Sequence, residues 1–198
     1  NGHDGNLTNG PTWATGKIGG ALSFDGINDE VITYGFKGIG GSNPRSLSAW
    51  IKTSKVRVIC SYGDKSSSGS KWSFRLNHMN ENVLGALRLE SREQSKIAST
   101  PVNTNKWHFV CLILPQNSDT QNDILFFVDG SLEKNISGMV DGVINSSLSN
   151  DFIIGSQSLA DPSSPTYFEG LIDEIRIYDR ALSSAEVQSL YNSGQYPP

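Results

Sequence analysis

The sequence predicts an all-β fold: a two-sheet antiparallel jelly-roll sandwich with one short helix near the C-terminus. Three observations carry this. Short runs of alternating apolar and polar residues recur along the chain, separated by Gly, Asn, Ser and Asp turns. Helix signals gather only after Leu182. The 198 residues contain no linker that would divide them, and all-β sandwiches reach this size as one unit, so residues 1–198 are expected to form a single domain.

Composition narrows the function classes. Twenty glycines, 18% charged residues and a mean hydropathy of -0.32 fit a turn-rich folded domain with a modest core. The net charge of -4 comes without a basic cluster, which argues against nucleic acid, because phosphate binding needs grouped Lys and Arg to displace counterions. No run is apolar enough to cross a bilayer, so membrane insertion is not expected. Cys60 and Cys111 lie in separate apolar runs without the spacing of a zinc or redox motif, and a disulfide and two buried thiols are both open. Asn6-Leu7-Thr8, Asn135-Ile136-Ser137 and Asn145-Ser146-Ser147 match the N-glycosylation pattern, a hint of secretion. The chain opens inside a glycine-rich loop without a signal peptide, so the expectation is a mature, monomeric module of a longer protein.

Taken in order, residues 1–20 alternate Gly and Asn around the apolar anchors Leu7, Trp13 and Ile18 and read as a loop with a short edge strand. Residues 21–24 form a strand with Phe24 in the core, Asp25-Gly26 turns it, and residues 31–34 are expected to pair beside it. Asp25 is either that turn's residue or a partner of Asp173 on a cation. Residues 46–53 alternate Leu47, Ala49 and Ile51 against Ser48, Trp50 and Lys52, which puts Trp50 off the most apolar parity, as a structural residue or a ligand platform. After a strand at residues 56–62 and a turn at 64–70, residues 72–77 place Trp72, Phe74 and Leu76 on one parity and Ser73, Arg75 and Asn77 on the other. Residues 84–90 repeat this, with Leu87 and Leu89 against Ala86, Arg88 and Glu90. Pairing the two strands brings Arg75, Asn77, Arg88 and Glu90 together on a solvent-facing sheet. That patch is either an ordinary outer face with cross-strand ion pairs or a sugar-contacting surface whose planar donors and acceptors match vicinal hydroxyls. Residues 107–114 and 124–128 form a hairpin with a long loop, Asp129-Gly130 turns tightly, and residues 132–139 and 151–155 complete the sheets. The loop at residues 156–166 is free enough to border a binding site.

The chain ends on a strand, a misplaced acid and a helix. Along residues 171–178, Leu171, Asp173, Ile175 and Ile177 share one parity, which is apolar apart from Asp173. A carboxylate on the buried side of a strand loses hydration worth several kcal/mol, so Asp173 must be neutralised, hydrogen-bonded or bound to a cation. Ser183 and Glu186 have capping-box spacing, Leu182 and Val187 staple spacing, and Gly194 suits a helix end. The expected helix covers residues 184–192 and turns Val187, Leu190 and Tyr191 inward.

The run GLIDEIRIYDRALSSAEVQSLY, with GKIGGALSFDGINDEV at 16–31, SLSAWIKT at 46–53 and KWHFVCLILPQNSDTQNDILFFVDGSLE at 106–133, resembles the laminin-G-like, concanavalin A-like jelly-roll domains of extracellular proteins. The resemblance spans almost the whole chain and is specific for fold. That scaffold carries sugar-binding modules, adhesive protein-binding modules and, in relatives, enzymes. It implies a non-catalytic, secreted or cell-surface carbohydrate-binding module with one structural calcium ion; the alternative is an adhesive domain that binds extracellular protein. A glycoside hydrolase is disfavoured, because relatives that hydrolyse sugars carry a Glu-x-Asp-x-Glu type run that is absent here, and adjacent Asp173 and Glu174 diverge to opposite faces.

The aspartate of the Ile-Asp-Glu run is similar to one that helps hold calcium in many of these domains. The residues also favour a hard cation, since carboxylates and carbonyls are plentiful while His3, His78 and His108 are scattered. The expected calcium set is Asp173 and Asp25 with carbonyl oxygens around His3 and Gly26. The expected glycan set is Arg75, Asn77, Arg88 and Glu90, with Tyr62, Trp72 and Tyr167 supplying its apolar side and Tyr34 a further aromatic candidate.

Overall fold

The computed structural model describes residues 3–79, 83–91, 94–134, 137–138, 141–157 and 167–193. Its first strands are β1 (Asn6–Thr8), β2 (Thr12–Thr15), β3 (Gly20–Asp25), β4 (Glu30–Thr33), β5 (Arg45–Lys52), β6 (Val58–Gly63) and β7 (Lys71–Leu76). They are followed by β8 (Ala86–Ser91), β9 (Gln94–Pro101), β10 (Trp107–Leu114), β11 (Leu125–Val128), β12 (Ser131–Leu132), β13 (Phe152–Ile154) and β14 (Glu169–Tyr178). The helix α1 spans Ser184–Ser193. Two seven-stranded antiparallel sheets result, ordered β1-β4-β13-β6-β7-β8-β9 and β12-β11-β10-β5-β14-β3-β2.

The alternating runs explain the layers. Trp72, Phe74, Leu76, Leu87 and Leu89 from the first sheet meet Leu47, Ala49, Ile51, Val110 and Leu112 from the second in one core. The second sheet is apolar on its other face too, where Trp50, Phe109, Cys111, Ile113 and Phe127 pack under Leu182, Val187 and Leu190. The helix thus covers the parity on which Trp50 stands, and the Trp50 ring lies 5.6 Å from that of Tyr191. The capping box forms as its spacing requires: Glu186 N–H donates to Ser183 Oγ at 3.3 Å and Ser183 N–H to Glu186 Oε2 at 2.7 Å. Cys60 lies in the main core and Cys111 in the cluster under the helix, both as buried free thiols, and burial pushes each thiol pKa up.

Three expectations change, and one strand, β9, was not foreseen. The turn at Asp25 does not join neighbouring strands: β3 belongs to the second sheet and β4 to the first, where it pairs with β1 and β13. The strand expected over residues 132–139 is reduced to Ser131–Leu132, with residues 135–136 and 139 outside the described residues. β9 has no clear alternation because its buried Lys96 stands where an apolar residue would; Lys96 Nζ donates to the carbonyls of Asn122 and Ile124, both at 2.6 Å. Finally, β14 carries a bulge, since its register against β5 shifts between Asp173, opposite Trp50, and Arg176, opposite Ser48. Glu174 at φ 50 accommodates the extra residue.

Candidate functional site

The polar parity of β7 and β8 comes together as the sequence requires, with Arg75 opposite Arg88 and Ser73 opposite Glu90. The surface is not solvated, however: Arg75 is 0% exposed, Arg88 7% and Asn77 0%. The expected open outer face is therefore a buried polar network. Glu90 is its only carboxylate among the described residues, contacted by Lys71 Nζ, by Arg75 Nη1 at 3.4 Å and by Arg88 Nη2 at 3.5 Å. Burial alone would raise the Glu90 pKa, but the three cations outweigh it and hold the carboxyl below its usual range. Arg88 Nη1 also donates to Asn77 Oδ1 at 3.3 Å, while Asn77 Nδ2 donates to the carbonyls of Met79 and Val83, both at 3.1 Å. Arg88 Nε and His78 Nδ1 are buried without a partner among the described residues. Desolvation, then the charges of Arg75 and Arg88, lower the His78 pKa to about 4.

The aromatic part of the expected glycan set does not join this face. Tyr62 and Trp72 point into the core, both fully buried, because they share the parity of Phe74 and Leu76 rather than that of Arg75. Tyr167 is half-buried just before β14, and residues 158–166 of the loop expected beside it lie outside the described residues. Among the described residues, the exposed Trp and Tyr rings are Trp13 on β2, 72% exposed, and Tyr34, 63% exposed. Trp13 passes for a core anchor in the sequence, and only its position on an edge strand exposes it.

The expected calcium ligands are not assembled. The bulge puts Ile172, Ile175 and Ile177 toward the core and turns Asp173 to the opposite face, opposite Trp50. There Asp173 is buried and its Oδ2 accepts the N–H of Ile18 at 2.9 Å. Asp25 lies opposite Glu169, four positions further along β14, which is about 13 Å at 3.3 Å per residue. Calcium–oxygen distances of about 2.3 to 2.6 Å cannot bridge that gap. Asp25 Oδ1 instead accepts the N–H of Ile27 at 2.8 Å, which makes Asp25 and Gly26 the turn. His3 packs its ring 4.7 Å from Phe36, and among the described residues no three His, Cys, Asp or Glu side chains converge.

Asp173 therefore anchors a loop, and Gly16 makes the approach close enough. A Cβ at Gly16 would stand 2.5 Å from Asp173 Oδ2 and 2.9 Å from the Gly20 carbonyl carbon. Gly16→Ala and Asp173→Ala are both expected to lower stability by about 1–3 kcal/mol, the cost of leaving a buried polar group without its partner. Thermal melts in calcium and in chelator check this. A loss for Asp173→Ala that appears only with calcium present would restore a cation to Asp173.

A separate cleft of about 880 Å³ opens between the sheets. Phe36, Phe152, Ile154, Ile175 and Ile177 wall it, and His3, Asp4, Arg176 and Asp179 lie along it.

The fold and these sites can be set beside known proteins. The family model for the concanavalin A-like lectin/glucanases superfamily matches residues 25–188. The chain belongs to that superfamily. No curated protein matches it. Among solved structures, it is similar to domain 4 of AbnA, a GH43 extracellular arabinanase from Geobacillus stearothermophilus solved with arabinotriose, at TM-score 0.68 and 17% identity over 95% of this chain and 88% of that one. It is also similar to the binding domain of botulinum neurotoxin serotype D, at TM-score 0.58 and 17% identity over 98% of this chain and 47% of that one. A candidate carbohydrate-binding protein from Bacteroides ovatus matches at TM-score 0.56 and 18% identity, over 93% of this chain and 45% of that one. The chain thus spans about half of the toxin and Bacteroides chains. At these identities the likeness concerns the fold that this superfamily shares. Within that fold, the charged face of β7 and β8 and the cleft beside β14 are features of this chain's own side chains.

Proposed function

We propose that the chain is a non-catalytic carbohydrate-binding module of an extracellular protein, with the polar face of β7 and β8 as its sugar site. One observation carries this: among the described residues, buried Arg88 on that face lacks a close acceptor for part of its guanidinium. Among the described residues Arg88 makes only long contacts, 3.3 Å to Asn77 and 3.5 Å to Glu90, and its Nε has no partner. A buried donor in that state costs about 1–3 kcal/mol, and a pair of vicinal hydroxyl oxygens is the acceptor that a planar guanidinium fits. Asn77 ties the face to Met79 and Val83, which are exposed and give a ligand its way in. The sugar-binding members named among the similar structures support the ligand class.

The site's chemistry also favours binding over hydrolysis. Glu90, held ionised by three cations, is a poor proton donor, and glycoside hydrolysis needs one protonated carboxyl facing a second carboxylate. Glu174 is engaged by Arg176 and Asp173 by Ile18, so neither faces Glu90 as that second group.

A glycan array followed by calorimetric titration of the best oligosaccharide tests the assignment. Arg88→Lys keeps the charge and loses the planar fork, and it is expected to weaken binding at least about tenfold, near the discrimination of a lost charge-assisted hydrogen bond. Unchanged affinity in Arg88→Lys would remove the site from this face. An array without any binding sugar would remove the sugar-binding function itself.

A further inference from the structure

We propose that the cleft between the sheets beside the second half of β14 binds a small amphipathic cation, an amine with an aliphatic or aryl body. The evidence begins with core-facing side chains that the core does not finish covering. The bulge in β14 returns Ile175 and Ile177 to the face that packs on the main core, and across the gap the first sheet and its loop supply Phe36, Phe152 and Ile154. Of these, only Phe152 is fully buried. Phe36, Ile154, Ile175 and Ile177 stay half-buried, although each packs against the main core. Protein interiors close to crystal density, so inward side chains left part-exposed mark a stretch where the two sheets do not meet.

The opening has the size of a ligand site. At about 880 Å³ it falls inside the roughly 300–1,000 Å³ of small-molecule pockets, which are mostly apolar with a few polar groups at set places. The hydroxyl of Thr33 in the wall is already used, since its Oγ1 donates to the Phe152 carbonyl at 2.7 Å. A sugar pressed between Ile154, Ile175 and Ile177 would leave hydroxyls without partners, at a cost, so the body of the ligand is apolar. His3 is exposed and lays its ring 4.7 Å from that of Phe36, which carries the aromatic wall out to solvent.

The charge at the opening decides the polar end of the ligand. Asp4 and Asp179 line the cleft and are exposed, which places them at its mouth. The cations that adjoin lining residues along the chain are engaged: Lys37 with Asp151 at 3.1 Å, Arg180 with Glu186 at 2.7 Å, and Arg176 with Glu174. Arg176 also stands on the parity opposite to Ile175 and Ile177, so its side chain runs toward Ser48, Trp50 and Leu190 on the helix side of the sheet. Two carboxylates therefore set the sign at the mouth, and they attract an ammonium and repel an anion. The cleft lies between the sheets and the β7 and β8 face outside the first one, so the two assignments stand or fall separately.

Methyl-resolved NMR on the whole chain with labelled isoleucine tests this, using 4-phenylbutylammonium, 4-phenylbutanol and 4-phenylbutanoate as probes of one body and three charges. The ammonium should shift the methyl signals of Ile154, Ile175 and Ile177 in a saturable way and leave that of Ile97, on the edge strand β9, in place. It should bind about fivefold more tightly than the alcohol, the upper range for an exposed ion pair, and the carboxylate should bind more weakly than either. Asp4→Asn combined with Asp179→Asn, two exposed changes, should bring the ammonium to the affinity of the alcohol without altering the alcohol's own. Equal affinity for ammonium and alcohol in the wild type, or an unchanged preference in the double variant, would overturn the cation. No saturable shift of the three methyls at millimolar probe, or shifts confined to other isoleucines, would overturn the site.

Discussion

Replacing Glu90 with Ala is expected to lower the unfolding free energy by about 3–5 kcal/mol, the range for breaking a buried ion pair by removing one partner. Lys71, Arg75 and Arg88 are all at least nine-tenths buried, and Glu90 is the carboxylate they share. Without it, like charges face one another across β7 and β8 at low effective dielectric. For a domain of 198 residues, the loss corresponds to a drop of about 6–20 °C in melting temperature. The pH dependence has a definite sign. The folded-state pKa of Glu90 lies below its ordinary value, so its contribution is complete above that value and is lost as pH falls through the folded pKa. The difference between wild type and Glu90→Ala should therefore narrow on acidification. Denaturant titrations at neutral and acidic pH measure both effects, and a neutral-pH change below 1 kcal/mol would mean that the cations are solvated after all.

That result separates what was legible in the sequence from what was not. Period-two alternation fixes which side chains share a face, so the meeting of Arg75, Asn77, Arg88 and Glu90 could be read directly, as could the core positions of Trp72 and Leu87. Alternation does not say whether the second face is covered. Substitution of Arg75 or Arg88 looks mild from the sequence and severe in the folded protein for that reason alone. The capping box of α1 was legible because it is local, three residues apart on one chain. The bulge in β14 was not, because Glu174 has none of the Gly or Asn character that usually marks a positive φ. That one inserted residue reverses the face of Asp173, and the four positions of β14 between Asp173 and the level of Asp25 hold the two carboxylates apart. The edge position of β2 was legible in the Gly- and Asn-rich residues around it, but Trp13 read as an apolar anchor, and the sheet order leaves its ring exposed.

Arg45→Ala is expected to cost a similar 3–5 kcal/mol, by a different route, in which acceptors rather than cations are left behind. Arg45 is 0% exposed, and every hydrogen bond it makes is to an uncharged oxygen. Its Nε donates to the Asn43 carbonyl at 2.8 Å, Nη2 to the Gly41 carbonyl at 2.6 Å, and Nη1 to Tyr62 Oη at 2.7 Å, Ser146 Oγ at 3.1 Å and the Ile39 carbonyl. The guanidinium also lies 4.6 Å from the centre of the Trp72 ring. A planar fork is thus holding the loop before β5, the segment at Ser146 and two core aromatic rings in one place. Truncation removes all five contacts of the three guanidinium nitrogens at once and leaves a cavity beside Trp72, whose surroundings relax only in part. Lysine has the charge but a single nitrogen, so it cannot reach carbonyls spread around a fork. Arg45→Lys should accordingly recover less than half of the loss, and both variants should alter the near-ultraviolet circular dichroism that reports the packing of Trp72. Recovery to wild-type stability in Arg45→Lys would show that the positive charge over the Trp72 ring, and not the fork, supplies the stabilisation.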